Sequence, residues 1–259
     1  MNSPNIKDSF SLNDKVALIT GASKGIGAEI ARGLASAGAT VILSSRNYES
    51  VRAVADSFIL EGMRAEAFAC HVGDEVQLNA LKEFTMDKFG RVDILVNNAA
   101  TNPVYAPIDE MSGDLFDKMI HINVKAGFLL SNLVFPSMKN NKSGSIIHIS
   151  SVEGTKPTPG LSLYSVSKAA LIMLAKSQAK EWGKYNIRSN VICPGLVKTK
   201  FSSAIWQNDA ALKFWENHIP LNRMAMPEEM AGLALFLASD ASSYCTGQCF
   251  TADGGYLIA

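Results

Sequence analysis

The sequence predicts an α/β fold, a single domain over residues 1–259 built as a doubly wound parallel sheet with helices on both faces. Three observations carry that expectation. Short apolar runs alternate with longer stretches of helical character along nearly the whole chain. A glycine-rich turn joins the first run to the first helix. No internal repeat, low-complexity tract or Gly/Ser linker divides the sequence.

The strands are expected at 16–20, 40–44, 65–70, 93–96, 145–149, 187–192 and 248–251, and the helices at 26–37, 48–61, 75–89, 112–139, 162–182 and 227–238. Gly38 and Gly62 fall just past two helix ends, where a residue free to adopt left-handed backbone closes the last turn. Pro227 stands near a first turn, where its missing N–H is no loss. Residues 1–14 form a polar N-terminal extension that includes Pro4. Segment 198–226 interrupts the alternation, and its Phe201, Ile205, Trp206, Phe214 and Trp215 are too aromatic for a solvated loop. It is either a helical excursion packed on the core or a small lid over a substrate pocket; the site residues below favour the lid.

Hydrophobic residues make up 47% of the 259, ample material for a buried core. Lys and Arg number 24, as do Asp and Glu, so no net field draws the chain to nucleic acid or an anionic membrane, and neither is expected as a partner. No apolar run approaches the roughly 20 residues of a membrane span, and residues 1–14 lack the apolar core of a signal peptide. A cytoplasmic location is expected. Cys70, Cys193, Cys245 and Cys249 show no C-x-x-C or His/Cys ligand spacing, so reduced thiols and no metal are expected.

Thr20-Gly21-Ala22-Ser23-Lys24-Gly25-Ile26-Gly27 follows the first run directly and opens a helix. The glycines permit a tight turn and close backbone approach, and the helix N-terminus offers free N–H groups to a pyrophosphate. This points to a Rossmann-type dinucleotide site. Such folds place an acid about 20 residues further on to hold the ribose of NAD. Here the second run ends Leu43-Ser44-Ser45-Arg46-Asn47, and no acid appears between Val41 and Glu49. Lys24 and Arg46 stand there instead. An arginine suits a phosphate through paired charge-assisted hydrogen bonds, although solvated surface charges are the plainer alternative. With the acid missing, NADP(H) is the expected cofactor.

Tyr164 and Lys168 are four residues apart in Leu163-Tyr164-Ser165-Val166-Ser167-Lys168. On a helix this spacing puts both on one face, with Cβ atoms roughly 5 to 6 Å apart. An ammonium beside a phenol favours the phenolate, a way to make tyrosine a general acid or base near neutral pH. Alone, the pair is also found on many exposed helices.

Further residues set it in context: Asn97-Asn98-Ala99-Ala100 after the fourth run, Asn123 in a helix, Ser151 after the fifth, Pro194-Gly195 after the sixth, and Asp253-Gly254-Gly255 near the end. This ordered set resembles the short-chain dehydrogenase/reductase family over residues 15–256. The resemblance implies Tyr164 as the proton donor to a carbonyl oxygen, or acceptor from an alcohol. Lys168 is implied as stabiliser of the phenolate and binder of the nicotinamide ribose, and Ser151 as the hydrogen-bond donor to the substrate oxygen. Ser150 is the rival to Ser151 on sequence alone. Asn123 resembles the residue that holds a relay water; a buried Asn bonding backbone at a helix kink is the compatible alternative. Implied cofactor contacts are Gly21, Ser23, Lys24, Gly25, Ile26, Gly27, Ser45, Arg46, Asn47, Val72, Asn98, Ala99, Ala100, Ile149, Ser150, Tyr164, Lys168, Pro194, Gly195, Val197 and Thr199. Many relatives carry Asp after the third strand to bind the adenine amino group, whereas this chain has His71. Stacking on adenine, bonding to it, or a plain polar strand end are all open to that residue.

Cys70-His71-Val72-Gly73, Asn98-Ala99-Ala100-Thr101-Asn102-Pro103 and the run from Pro194 to Ser202, followed by Trp206, resemble a narrower branch of NADP-dependent carbonyl reductases and retinol dehydrogenases known from peroxisomes. Hydrophobic or aromatic ketones and α-dicarbonyls are then the implied substrates. The chain ends Tyr256-Leu257-Ile258-Ala259, without a Ser-Lys-Leu address. Val104, Tyr105, Leu161, Leu196, Phe201, Ile205 and Trp206, with Glu153 as a polar exception and Ser151 at the reacting oxygen, are the expected pocket. A 3-oxoacyl-carrier-protein reductase is the alternative enzyme; Lys142, Lys198 and Lys200 could meet its acidic partner, while Tyr185 falls where such enzymes often carry arginine. A nonenzymatic NADPH-binding regulator is the third reading. Assembly as a homotetramer through the 112–139 and 162–182 helices is an implication of the resemblance.

Overall fold

The computed structural model describes residues 5–102 and 104–259; Pro103 and residues 1–4, including Pro4, lie outside the described residues. Seven strands form one sheet: β1 Val16–Thr20, β2 Thr40–Ser45, β3 Arg64–Ala69, β4 Ile94–Asn97, β5 Gly144–Ile149, β6 Ile187–Pro194 and β7 Cys249–Ala252. Their order is β3-β2-β1-β4-β5-β6-β7, and every pairing is parallel. The chain runs outward from β1 to β3, then returns to place β4 on the other side of β1, with Ala17 opposite Ile94. At that reversal the connections leave in opposite directions, so a crevice opens beyond the carboxyl ends of β1 and β4.

Alternation of side chains explains why the runs are apolar throughout. Ala17, Ile19, Val41, Leu43, Ile94, Val96, Ile147, Ile149 and Ile192 face one core. On that side lie α1 Gly25–Ser36, α2 Tyr48–Leu60 and, further along the chain, a helix over Ala231–Ala238. Val16, Leu18, Ile42, Leu95, Ile146 and Ile187 face the other, against α3 Glu75–Phe89 and the helix over Ala126–Asn141. Caps fix several helix starts: Asn47 Oδ1 accepts from Ser50 N at 2.7 Å, and Asp74 Oδ1 from Val76 N at 2.9 Å. Part of the expected N-terminal extension joins the core, since Leu12 is buried and its N–H donates to the Ala37 carbonyl at 2.8 Å.

The expected helix over 112–139 runs without a gap but is not α-helical throughout. It comprises α4 Gly113–Ile120, a π-helical turn His121–Lys125, and α5 Ala126–Asn141. A π turn inserts one residue into helical periodicity without breaking the apolar pattern, so the sequence reads as one helix. Next along the chain comes α6 Ser162–Trp182. Segment 198–226 contains two short helices, α7 Ser203–Trp206 and α8 Asp209–Asn217. The expected helix over 227–238 begins as a 3-10 turn, Pro227–Met230, before α9 Ala231–Ala238. No helix among the described residues is long and apolar enough to cross a membrane.

Candidate active site

The glycine-rich turn lies at the carboxyl end of β1 and is braced from β4. Thr20 Oγ1 accepts the N–H groups of Asn98 and Ala99, each at 3.1 Å. Asn98 Nδ2 donates to the carbonyls of Thr20 at 2.9 Å and Gly21 at 3.1 Å. Both amide hydrogens of Asn98 are thereby committed, so the side chain holds the turn in place. Gly21 has φ +67°, and a Cβ there would stand 2.8 Å from Asn98 Nδ2. A Cβ on Gly27 would meet the same Nδ2 and, at 2.5 Å, the Gly21 carbonyl oxygen. The turn therefore has a floor that only glycine fits. No side chain caps α1, leaving its first N–H groups directed at the crevice. A cradle without side chains at an uncapped helix end is the shape a pyrophosphate requires, so the residues present fit a dinucleotide.

Lys24 and Arg46 are exposed at the turn and just past β2, and neither forms an ion pair among the described residues. Ser45 Oγ donates to the Asn47 carbonyl at 3.1 Å. Asn47, an expected cofactor contact, caps α2 with its side-chain oxygen on the Ser50 N–H. His71 Nδ1 accepts the Gly73 N–H at 3.1 Å, which leaves Nε2 as the ring's donor. It can donate to a base, but it cannot imitate the acceptor that an aspartate offers an adenine amino group. Val72 packs partly buried at the same loop.

Beyond β5, Ser150 and Ser151 diverge. Ser150 Oγ donates to the Lys168 carbonyl at 2.7 Å and faces the core, whereas Ser151 Oγ accepts the Glu153 N–H at 3.2 Å and acts electrostatically on Tyr164. The geometry thus separates the two serines that sequence alone could not. Lys168 is buried, and its Nζ donates to the Ile149 carbonyl at 2.8 Å while standing 5.4 Å from the centre of the Tyr164 ring. Burial pulls the Lys168 ammonium down to about 8.

Tyr164 is half-buried, and burial pushes the phenol above its ordinary value of 10.0. The nearby Ser151 hydroxyl works against that rise, and the Glu153 carboxylate adds to it. Among the chain's own groups, desolvation by burial is the largest influence on the phenol, and Lys168 Nζ gives one of its hydrogens to a backbone carbonyl.

Asn123 sits in the π turn and is buried. Its Oδ1 accepts the Thr101 N–H at 2.8 Å, and its Nδ2 donates to the Thr101 carbonyl and to Ser167 Oγ, each at 3.0 Å. A cavity of about 10 Å³ beside it, bordered by Thr20, Asn97 and Ala99, is close to the size of one water. Thr20, Thr101 and Ser167 were not singled out from the sequence; Thr20 carries one visible signal, a hydroxyl on the last strand residue before the glycine turn.

The segment after β6 closes the other side of the crevice. A Cβ on Gly25 would stand 3.3 Å from Thr199 Cγ2, so turn and segment nearly touch. Pro194 and Val197 are buried, and Gly195 packs so tightly that a Cβ would lie 2.7 Å from Asp253 Cα. Trp206 Nε1 donates to the Thr199 carbonyl at 2.8 Å, and the Phe201 ring lies 5.7 Å from that of Tyr164, so the structure brings this expected wall residue to the tyrosine. Tyr105 lies over Gly160 across from it and is largely exposed, as is Val104 in part. Leu161 and Leu196 have their carbonyls tied up by Ser165 and Ala225, and Ile205 is half-buried. Glu153 departs from the expected pocket lining: it is buried, and its carboxylate is consumed by Thr158 and Ser165.

A parallel sheet with its glycine cradle at the strand reversal, and a serine, tyrosine and buried lysine at the neighbouring strand ends, defines a nicotinamide-dinucleotide oxidoreductase. Comparison with known proteins narrows the class. A family profile described as enoyl-(acyl carrier protein) reductase matches residues 21–257. Dehydrogenase/reductase SDR family member 4 of Sus scrofa is 40% identical over 244 residues, covering 94% of this chain and 88% of that protein. Its counterpart in Caenorhabditis elegans is 38% identical, with 93% and 94% covered. Among solved structures, a gluconate 5-dehydrogenase from Burkholderia cenocepacia in complex with NADP and tartrate superposes with a TM-score of 0.94 at 33% identity, covering 98% of this chain and 100% of that one. A 7α-hydroxysteroid dehydrogenase complexed with NADH and 7-oxo glycochenodeoxycholic acid gives 0.93 at 36% identity, with 98% of each chain covered. The chain belongs to the short-chain dehydrogenase/reductase family.

Proposed function

We propose that this protein is an NADPH-dependent carbonyl reductase of hydrophobic or aromatic ketones and α-dicarbonyls, working reversibly on the corresponding alcohols, with Tyr164 as its general acid and base. The observation that carries the reading is the convergence of Ser151, Tyr164 and Lys168 at the strand ends, with Lys168 Nζ 5.4 Å and the Phe201 ring 5.7 Å from the centre of the Tyr164 ring. When bound, the nicotinamide cofactor supplies or accepts the hydride. Ser151 would donate to the carbonyl oxygen and stabilise the charge that develops there. Tyr164, kept protonated by its burial, would deliver the proton. Lys168, pulled to about 8, is poised to exchange a proton near neutral pH, and the small cavity at Asn123 supports a water link toward it.

The turn Gly21 to Gly27 would hold the pyrophosphate, and the free cations Lys24 and Arg46 favour a 2′-phosphate, as do the NADP-bound gluconate 5-dehydrogenases among similar structures. Val104, Tyr105 and Phe201 expose apolar surface at the mouth, which favours an apolar substrate over a sugar acid. Residues 198–226 act as the lid. A cytoplasmic homotetramer is the proposed form, on the family resemblance.

A 3-oxoacyl-carrier-protein reductase is the second reading, favoured by a basic cavity of about 420 Å³ bordered by Lys139, Lys142 and Lys184 with Tyr185. That cavity lies where β5 and β6 begin, at the opposite end of the strands from Ser151, which weakens it as a docking point for an acyl chain. The test is a panel of aromatic ketones, diketones and acyl thioesters with NADPH, run on the native protein and on Tyr164→Phe. Ketone or diketone turnover that is lost in the variant while NADPH still binds supports the proposal. Turnover of acyl thioesters alone would transfer the assignment to the second reading, and no turnover of any of them sinks both.

A further inference from the structure

Only two acidic residues are buried among those described, Asp93 and Glu153. Asp93 is matched by Arg91 at 2.6 Å. Glu153 instead receives three neutral donors: Thr158 N at 2.9 Å and Ser165 Oγ at 2.7 Å on one oxygen, Thr158 Oγ1 at 2.5 Å on the other. A buried carboxylate without a cation is costly and persists where it is fully hydrogen-bonded. Its placement shows what it holds. The Glu153 N–H is bonded to Ser151 Oγ, so Glu153 starts from the proposed oxyanion donor. Ser165 is the residue after Tyr164, in the first turn of α6. Thr158 opens the loop that reaches Gly160, where a Cβ would stand 2.6 Å from the Tyr105 ring and where the Gly160 carbonyl accepts the Ala106 N–H at 3.2 Å.

We propose that Glu153 is a positioning residue for the reaction, one side chain that ties the segment bearing Ser151 to the helical turn bearing Tyr164 and to the loop supporting the Tyr105 wall. The proposal rests on the reading of Tyr164 as proton donor. Of the charged and titratable groups facing that phenol, Glu153 comes from the turn after β5 and Lys168 from α6; the segment after β6 contributes the uncharged Phe201. The Glu153 charge disfavours the phenolate and so holds the proton on Tyr164, the form that reduction requires.

The experiment compares pH profiles of kcat/KM in both directions for the native enzyme, Glu153→Gln and Ser165→Ala. Glu153→Gln removes the charge and keeps the shape, so the limb belonging to Tyr164 moves to lower pH by at least about half a unit, while kcat falls and KM for NADPH changes by less than about twofold. Ser165→Ala loosens the brace but leaves the charge, so kcat falls with the limb in place. A limb that stays put in Glu153→Gln overturns the proposal, since a merely structural carboxylate would lower stability without moving it. Thr158→Val, combined with Ser165→Ala, serves if Glu153→Gln does not fold, and an unchanged kcat in that pair is equally adverse. Independently of turnover, melting midpoints of Glu153→Gln, Ser165→Ala and the double variant test the tie itself: non-additive losses support it, and additive losses refute it. If the native protein turns over no carbonyl, the functional reading fails while this thermal cycle still judges the brace.

Discussion

Replacing Asn123 by alanine tests the π turn most directly. The side chain makes three hydrogen bonds, two to the backbone of Thr101 and one to Ser167 Oγ. At a net value of about 1 kcal/mol each, with buried partners left unpaired, the substitution costs about 3 kcal/mol. In a domain of this size each kcal/mol is worth about 2 to 4 °C, so the melting midpoint falls by about 6 to 12 °C. Ser167→Ala removes one of the three bonds and lowers it by about a third as much. Calorimetric melts of the two variants beside the native protein give the comparison, with NADPH-coupled turnover measured on the same samples. If Asn123→Ala melts within about 2 °C of the native protein, these bonds do not hold the turn and the argument is wrong. If it is destabilised as stated but keeps its kcat at saturating cofactor, the brace stands and the relay at Asn123 falls.

Three further outcomes follow from the same geometry. Arg46→Ala removes an exposed cation worth about 1.5 to 2.5 kcal/mol toward a phosphate, so kcat/KM falls about 10- to 70-fold with NADPH and stays nearly level with NADH; equal losses with both cofactors would contradict the assignment. Burial pulls His148 down to about 4, so between its unfolded value of 6.5 and 4 the unfolded chain binds the extra proton and stability declines as pH falls through that window. The amount is roughly 3 kcal/mol, and denaturant midpoints of His148→Gln should lack that decline. Gly27→Ala would place a methyl against Asn98 Nδ2 and the Gly21 carbonyl, so dinucleotide binding measured by calorimetry should be lost before the fold is, and tight binding by the variant would show that the turn is less closely packed than described.

How far the fold was legible depended on burial. β1 and β5 are buried along their whole length, so both faces demand apolar residues and the strands read directly as runs. The π turn did not, because one inserted residue leaves the apolar pattern on either side intact. For the site, residue types and order pointed to Ser151, Tyr164 and Lys168, but what each side chain is bonded to was hidden. Asn98 gives its amide to Thr20 and Gly21, 78 and 77 residues earlier in the chain, and no local pattern reports such a commitment. Glu153 reads as a polar pocket residue beside Ser151 until Thr158 and Ser165 are seen to surround it. The shift of the Tyr164 phenol depends on burial, a property that a helical spacing of four does not contain.

The pairing of β1 with β4 has a consequence for how the protein is made. The buried Asp93 carboxylate holds the N–H of Val16 at 2.9 Å across 77 residues of chain, and Asn98 closes on Thr20 over a similar interval. A nascent chain that has emerged only through β3 possesses the glycine turn but not the wall it rests against. Closing so long a loop is slow relative to local helix and strand formation. The floor of the nucleotide crevice therefore waits for Asn98, and its far wall, the segment from Pro194 to Thr199, for synthesis to pass three quarters of the chain, so cofactor can stabilise the growing protein only late in its synthesis.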